Sequence, residues 1–309
     1  MSMQASNAGN EAKRVLPSGH PAASIIAEIV AHALEEDRAW FDITTQSTVP
    51  SDQPGEATLL YKEDGVVCGL EVVREVFWQT SDEIEMDILA DEGAWVESGT
   101  VVAELRGPLA PMLSGERVAL NLLQRMSGTA TMSYRYAHEA ARGGTGRVVD
   151  TRKTTPGLRV LERYAVRTGG AFNHRNTLED GVLIKDNHIE AATARGVTPA
   201  ALIAEVRARV PHTVRIEVEA DTPHLARAAA HGGADVVLLD NMPPDMMAAI
   251  VAESRANPKT SRVLFEASGG VRIETIAAIA ATGVDLISVG ALTHSAPALD
   301  ISLDVRPAD

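Results

Sequence analysis

V-R-I-E-V-E-A-D-T-P-H-L-A-R-A-A-A-H-G-G-A-D-V-V-L-L-D, Val214–Asp240, holds two short β-branched runs with an alanine-rich helical stretch between them. The first run closes on Glu219 and the second on Asp240. Strand, helix and apolar strand in succession is the unit that builds a parallel sheet covered on both faces. The texture continues outward. R-V-V-D (Arg147–Asp150) and G-V-L-I-K (Gly181–Lys185) precede it, and R-V-L-F-E-A-S (Arg262–Ser268) and D-L-I-S-V-G (Asp285–Gly290) follow, which makes six clear strands. Helical stretches are expected at Pro199–Arg209, Pro223–His231, Met246–Arg255 and Ile273–Thr282. The regular spacing, with a polar residue closing nearly every strand, favours an α/β barrel over an open sheet. Active sites of such barrels lie at the C-terminal strand ends. Asp150, Lys185, Glu219, Asp240, Glu266 with Ser268, and Gly290 are therefore expected to face one another.

The chemistry concentrates between Asp150 and Ile189, in D-T-R-K-T-T-P-G, R-T-G-G-A-F-N-H-R and L-I-K-D-N-H-I. The chain has only five lysines, and two of them, Lys153 and Lys185, fall in this stretch beside Arg152, Arg159, Arg163, Arg167, Arg175, His174 and His188. Against a formal charge of -14, such a basic island suits a small, highly anionic substrate. Arginine offers a planar fork to carboxylate or phosphate, lysine a compact point charge. Arg159, Arg163 and Arg167 read as structural, on a helix in L-R-V-L-E-R-Y-A-V-R. Arg152, Lys153, His174, Arg175 and Lys185 stand next to Thr, Gly, Pro and Asn at strand ends, where function resides. A-S-G-G-V (Ala267–Val271) and S-V-G-A-L (Ser288–Leu292) each end a strand and open a helix, turns that present backbone N–H groups to an anion.

The first half is different. Ile25, Ile29, Ala33 and Ile26, Val30, Leu34 form two stripes of one helix, with His32 between them as a surface or half-buried structural histidine; D-I-T-T (Asp42–Thr45) breaks it. A-T-L-L-Y, V-V-C-G-L, E-I-E-M-D-I-L and V-V-A-E-L read as strands, with E-V-V-R-E-V-F-W as a short helix. D-E-G-A-W-V-E-S-G-T-V-V-A-E-L-R-G resembles the hairpin of biotin- and lipoyl-type carrier domains but has no lysine, so only the geometry is expected to be shared. Gly115–Thr131 reads as a helix stopped at Gly128, with Arg117 in its first turn, where it opposes the helix dipole. Leu299, Ile301, Leu303 and Val305 alternate with polar residues, as in a half-exposed antiparallel strand that returns to the N-terminal unit.

Composition bounds the rest. At 309 residues, 45% hydrophobic and 23% charged, the chain has room for one large and one smaller domain. The acidic balance argues against nucleic acid or an anionic membrane as the main partner. No run approaches the roughly 18 apolar residues of a membrane span. Met1–Gly19 lacks the pattern of a signal peptide and reads as a disordered tail. The single cysteine, Cys68, excludes an internal disulfide and fits a reducing, cytoplasmic setting.

E-R-V-A-L-N-L-L-Q-R-M-S-G-T-A-T, D-T-R-K-T-T-P-G-L-R, E-R-Y-A-V-R-T-G-G, N-H-R, L-I-K-D-N-H-I, E-V-E, L-L-D-N and E-A-S-G-G-V together resemble the quinolinate phosphoribosyltransferase family, in order and spacing, over nearly the whole chain beyond the tail. The resemblance implies an N-terminal α/β sandwich (hammerhead-like) joined to an incomplete seven-stranded α/β barrel. The implied limits are a tail at 1–19, sandwich at 20–127, barrel at 128–295 and returning strand at 296–309. It also implies conversion of quinolinate and phosphoribosyl pyrophosphate to nicotinate mononucleotide, pyrophosphate and carbon dioxide, with Mg2+. Carried over residue by residue, Arg117, Arg152, His174, Arg175 and Lys185 would contact the quinolinate carboxylates. Lys153, with His174 and Lys185 nearby, would face phosphoribosyl pyrophosphate, Thr151 would bind substrate, and Glu219 and Asp240 would serve the ribose and magnesium, directly or through water. Ser268, Gly269 and Gly270 with Val289, Gly290 and Ala291 would hold the 5′-phosphate. Lys153, Glu219 and Asp240 would be catalytic. In the family, the arginine matching Arg117 reaches the neighbouring subunit's site, so a homodimer with shared sites is implied.

Two alternatives stay open at this level. A paralogue of the same fold could act on another acid such as nicotinate, or serve molybdenum transport. A non-catalytic binding protein could keep the fold alone. A one-carboxylate substrate would need fewer of Arg117, Arg152, Arg175 and Lys185, and loss of activity would be marked by loss of Lys153, Glu219 or Asp240; all are present.

Overall fold

All six strands expected in the second half form, and they pair in parallel. The computed structural model describes residues 20–308, so the expected tail at 1–19 lies outside the described residues. In chain order the first half comprises α1 (Ala23–Glu36), α2 (Ile43–Thr48), β1 (Pro54–Tyr61), β2 (Gly65–Val66), α3 (Leu70–Thr80), β3 (Glu85–Ile88), β4 (Trp95–Val96), β5 (Val101–Pro108) and α4 (Leu109–Gly143). The second half comprises β6 (Arg147–Val149), α5 (Arg159–Thr168), β7 (Val182–Ile184), α6 (Asp186–Thr193), α7 (Pro199–Arg207), β8 (Ile216–Ala220), α8 (Pro223–His231), β9 (Val236–Asp240), α9 (Pro244–Ala256), β10 (Leu264–Ser268), α10 (Ile276–Ala280), β11 (Leu286–Ser288), α11 (Ala291–His294) and β12 (Ile301–Pro307).

The parallel sheet runs β6-β11-β10-β9-β8-β7. Pairing of its first strand with its last, β6 with β11, rolls the sheet towards a barrel. The seventh strand is reduced to one parallel bridge, Val149 with Phe172, in which the Asp150 N–H donates to Phe172 O and the Phe172 N–H to Val148 O. No ladder joins Phe172 to β7 among the described residues. The reason is local. Beyond Phe172, the His174 N–H and the Asn173 amide turn to the buried Asp150 carboxylate, at 2.8 and 2.6 Å, instead of to a neighbouring strand. The seam between β6 and β7 is where the barrel is incomplete.

The N-terminal sheet is antiparallel, in the order β12-β1-β5-β3. Alternation along β1 buries Gly55, Ala57, Leu59 and Tyr61, and β12 buries Ile301 and Leu303 from the same period-two pattern. Against them lie Ile26, Val30 and Leu34 of α1, Val73 and Phe77 of α3, and Leu123 and Met126 of α4. Each such side chain contributes roughly 1.5–3 kcal/mol by leaving water. Only one of the two α1 stripes is buried; Ile25 stays exposed, and His32 is exposed too.

Three local expectations are corrected. Asp42 does end the first helical region, but its carboxylate also accepts from the Thr44 and Thr45 N–H groups and caps α2. Of V-V-C-G-L only Val66 lies in a strand, the two-residue β2, and Gly69, left-handed at φ 112°, caps the start of α3. The helix expected at Gly115–Thr131 is the middle of α4, 35 residues and about 50 Å long. Gly128 does not stop it. A Cβ there would stand 1.9 Å from the Pro297 carbonyl oxygen, so glycine is needed for close approach of the returning chain. That chain is strapped to α4 by the Leu299 N–H donating to Gln124 O and by the Gln124 amide donating to Ile301 O. Arg117 accordingly sits in the interior of α4, and the helix-dipole argument for it falls away. Among the described residues, no helix is long and apolar enough to cross a membrane.

Candidate active site

Thr151, Arg152, Lys153, His174, Arg175, Lys185, Glu219, Asp240, Ser268, Gly269 and Gly270 line one cavity of about 650 Å3 at the C-terminal strand ends, together with Asn241, Glu266 and Ser288. The loop after β6 is a tight turn in which the Lys153 N–H donates to Thr151 Oγ1 at 3.1 Å. It puts Arg152 and Lys153 on one wall. Arg175 stands close enough to Arg152 that, after burial, this second guanidinium is the main influence lowering its pKa. Two crowded cations persist where an anion compensates them. Arg152 Nε is buried with no acceptor, a donor aimed at something the protein does not supply. No carboxylate pairs with Lys153 among the described residues. Glu219 and Asp240 line the same cavity from adjacent strands β8 and β9.

The helix arginines are structural, as expected. Arg163 is buried and donates to Asp150 Oδ1 at 3.1 Å and to the carbonyls of His174 and Arg175, fixing the backbone that presents those two side chains. Asp150 is a correction: it is fully buried and serves this anchor, not the cavity. Burial pushes its carboxyl upward, and Arg163, the His174 N–H and the Asn173 amide oppose that shift. His188 closes the start of α6, its Nδ1 accepting from the Lys185 N–H at 2.9 Å.

Four expected site residues stand apart from the cavity lining. Val289 is buried and its N–H donates to Val149 O, so that amide is not free for a phosphate. Gly290 packs near the Lys153 side chain, where a Cβ would meet Lys153 Cδ at 3.2 Å, and Ala291 opens the four-residue α11. In the other glycine turn both glycines are left-handed, Gly269 at φ 91° and Gly270 at φ 57°, and both line the cavity. Arg117 lies outside the cavity of its own chain; its side chain is 61% exposed and its nearest acidic partner, Glu116, is 3.8 Å away.

His174 Nδ1 accepts from the Arg175 N–H at 2.8 Å, and its Nε2 lies 3.1 Å from Glu217 Oε2 and 3.3 Å from Glu266 Oε2. Both ring nitrogens thus have neighbours within the protein, and the side chain still lines the cavity. Burial alone would lower the imidazole, but the two glutamates outweigh it and raise it to about 10. Glu217 is pushed upward chiefly by burial. Both directions mean that the cluster keeps a proton that isolated groups would release. The Arg175 N–H forbids that proton on Nδ1, so it lies on the side shared by Nε2 and the carboxylates. Ligand atoms of His174, Glu217 and Glu266 come within 4.8 Å of one another, a spacing that could hold a metal. With Nδ1 accepting, however, Nε2 must carry the ring proton, and a metal there would require an imidazolate. The trio is a cluster of ion-pair contacts in which both Glu266 oxygens and Glu217 Oε1 are buried without a hydrogen-bond partner among the described residues. Glu217 was not singled out from the sequence, although I-E-V-E carried the signal: residues i and i+2 of a strand share a face, so Glu217 and Glu219 both turn inward.

The chemistry of the donor set at Glu219 and Asp240 suits Mg2+. Two oxygen ligands without a third acidic, histidine or cysteine side chain close by, among the described residues, fit an ion that keeps waters and takes its remaining ligands from substrate phosphates. Glu219 Oε2 receives Lys185 Nζ at 2.9 Å and Asp240 Oδ2 receives the Asn241 amide at 2.8 Å, which leaves one oxygen on each carboxylate.

Comparison with known proteins agrees with this architecture. A probable nicotinate-nucleotide pyrophosphorylase (carboxylating) of Bacillus subtilis is 43% identical over 280 residues, covering 91% of this chain and 93% of that protein. The nicotinate-nucleotide pyrophosphorylase (carboxylating) of Rattus norvegicus is 39% identical, covering 92% and 91%. The solved nicotinate-nucleotide pyrophosphorylase of Francisella tularensis superposes with a TM-score of 0.85 at 34% identity, over 94% of this chain and 100% of the other. Residues 42–127 match the N-terminal domain and residues 129–304 the C-terminal domain of quinolinate phosphoribosyl transferase, and the chain belongs to that family.

Proposed function

We propose that the chain transfers the phosphoribosyl group of phosphoribosyl pyrophosphate to quinolinate and releases pyrophosphate and carbon dioxide, forming nicotinate mononucleotide for NAD biosynthesis. The observation that carries this is the mixed lining of one cavity: Arg152, Lys153, Arg175 and Lys185, with an unanswered buried donor on Arg152, share it with the carboxylates of Glu219 and Asp240. Arg152, Arg175 and Lys185 orient the two carboxylates of quinolinate. Lys153 lies towards the leaving pyrophosphate and offsets its charge. Thr151 shapes the turn that presents Lys153. The open turn of Ser268, Gly269 and Gly270 receives the 5′-phosphate.

As the pyridine nitrogen bonds to the anomeric carbon, the bond to pyrophosphate breaks and its electron pair leaves with the pyrophosphate. Positive charge on the ribose ring is stabilised by Glu219 and Asp240. Mg2+, when bound at these two carboxylates directly or through water, supplies further charge neutralisation for pyrophosphate. The ribosylated ring nitrogen is cationic. The adjacent carboxylate then departs as carbon dioxide, leaving its electron pair on the ring carbon beside that cation until a proton from solvent replaces it. The protein's part is to hold both carboxylates in place.

Arg117 supports a homodimer with shared sites. It is exposed, it is absent from its own cavity, and it stands on α4 close to Ser114, whose hydroxyl donates to Asp42 at 3.0 Å. Around Asp42 the large side chains of Trp40, Phe41 and Ile43 are exposed, at 44, 63 and 79%. An apolar patch beside an exposed arginine suits a partner subunit that receives Arg117. The buried free thiol of Cys68 is compatible with a cytoplasmic setting.

The test is release of carbon dioxide and pyrophosphate from quinolinate and phosphoribosyl pyrophosphate, with nicotinate as the comparison. Lysine in place of Arg152 or Arg175 is expected to weaken quinolinate binding, because a point charge does not copy a bidentate fork. Equal turnover of nicotinate and quinolinate would refute the two-carboxylate pocket.

A further inference from the structure

Asn241 follows Asp240 at the end of β9 with φ 54°, one of two non-glycine residues in the left-handed region among the described residues. Asparagine is the side chain that tolerates this region best, yet the conformation needs support. Three contacts supply it. The Asn241 N–H donates to Ser268 O at 2.9 Å, joining the ends of β9 and β10 just beyond the Asp240–Ser268 pair. The side-chain amide donates from Nδ2 to Asp240 Oδ2 at 2.8 Å; a carboxylate only accepts, so this end of the amide must be the nitrogen. The same side chain lies over Gly269, where a Cβ would come within 2.2 Å of Asn241 Oδ1 and 2.4 Å of its Cγ. Gly269 at φ 91° can therefore carry no side chain, both for its backbone and for its neighbour.

We propose that Asn241 is a positioning residue that locks the Asp240 carboxylate and the Gly269–Gly270 turn at a fixed separation. This rests on the function proposed above, in which the two sides receive the ribose–pyrophosphate end and the 5′-phosphate end of one molecule. Asn241 does not have to touch that molecule. It sets the distance between the two groups that do, so its loss is felt by phosphoribosyl pyrophosphate and not by quinolinate, which is held on the Arg152 and Arg175 side.

Asn241→Gly is the informative variant, because glycine takes the left-handed backbone without strain and removes only the side chain. The full-length enzyme is expected to fold normally, with its melting temperature changed by no more than about 2 °C. Its KM for phosphoribosyl pyrophosphate should rise about tenfold, because Asp240 and the Gly269–Gly270 turn lose their fixed separation, while its KM for quinolinate stays within about twofold. Asn241→Asp, which sets a second carboxylate against Asp240, should be worse than Asn241→Gly. Calorimetric titration of phosphoribosyl pyrophosphate with Mg2+ into wild type and Asn241→Gly reads the lock without turnover and should show the same loss. Unchanged affinity in the glycine variant, or equal rises in both KM values with a lowered melting temperature, would overturn the proposal. Wild-type protein that binds phosphoribosyl pyrophosphate but does not turn over quinolinate would remove the proposed function and leave the lock standing on the titration. Wild-type protein that does not bind phosphoribosyl pyrophosphate would end both.

Discussion

Lys185 Nζ lies 2.9 Å from Glu219 Oε2 across two neighbouring parallel strands, β7 and β8, at the mouth of the cavity. The pair joins a group proposed for the quinolinate carboxylates to one proposed for the ribose and metal. With the lysine side chain 48% exposed, solvent screens the contact, and it contributes little to folding. Lys185→Ala is therefore expected to leave the melting temperature nearly unchanged and to lower kcat/KM about a hundredfold, near 3 kcal/mol of barrier. Because the two side chains act on each other, Lys185→Ala combined with Glu219→Gln should cost less than the two single losses added together. Kinetics and thermal melts on the same preparations check this. Normal turnover with a sharply lowered melting point would make the pair structural.

The barrel strands and most of the cavity lining were legible because parallel strands buried on both faces read as short apolar runs, and the polar residues that close them have nowhere to point but the open end. Glu219 and Asp240 show this directly. What escaped depended on partners remote in sequence. Gly128 looks like a helix stop until Pro297 is seen against it, nearly 170 residues later. His174 reads only as a cavity side chain until Glu217 and Glu266 are found beside its Nε2. The Val289 amide looks open to phosphate until the barrel closes on Val149. No local pattern reports such contacts.

The His174 cluster makes stability depend on pH. Against burial, Glu217 and Glu266 raise the imidazole to about 10, above the roughly 6.5 of an unfolded chain. Between those values the native state binds more protons than the unfolded one, so stability is fully present below about pH 6.5 and falls as pH rises towards 10. Glu217, also pushed upward by burial, acts with the same sign. The melting temperature is expected to drop by several degrees over this window, and more gently in His174→Asn, whose Oδ1 can accept the Arg175 N–H. A wild-type profile that is flat or rises between these limits contradicts the shared proton.

Gly128→Ala tests the correction to α4. In an exposed helix interior, alanine in place of glycine stabilises by about 1 kcal/mol. Here the added Cβ would meet Pro297 O at 1.9 Å and the Pro297 carbonyl carbon at 3.0 Å, backbone atoms that cannot swing aside like a side chain. The expected outcome is destabilisation by about 2–3 kcal/mol, an overpacking cost, read as a lowered urea midpoint. A stabilised variant would show that the returning segment does not press on α4.

Arg117 gives the test of subunit sharing. Its side chain is exposed and it does not line its own chain's cavity, whereas Lys153 does. Arg117→Ala and Lys153→Ala chains, each inactive alone, are dissociated, mixed one to one and reassociated. In a mixed dimer with shared sites, one cavity keeps its Lys153 and receives Arg117 from its partner, while the other carries both lesions. Random pairing makes about half the dimers mixed, and each mixed dimer holds one sound site of two, so about a quarter of wild-type activity should return. If Arg117 served its own chain, every site in every dimer would carry one lesion and no activity would appear. Mass measurement of the mixed dimers establishes that exchange has occurred. Exchange without recovery would then confine Arg117 to a role within its own subunit, and the apolar patch at Trp40, Phe41 and Ile43 would need another explanation.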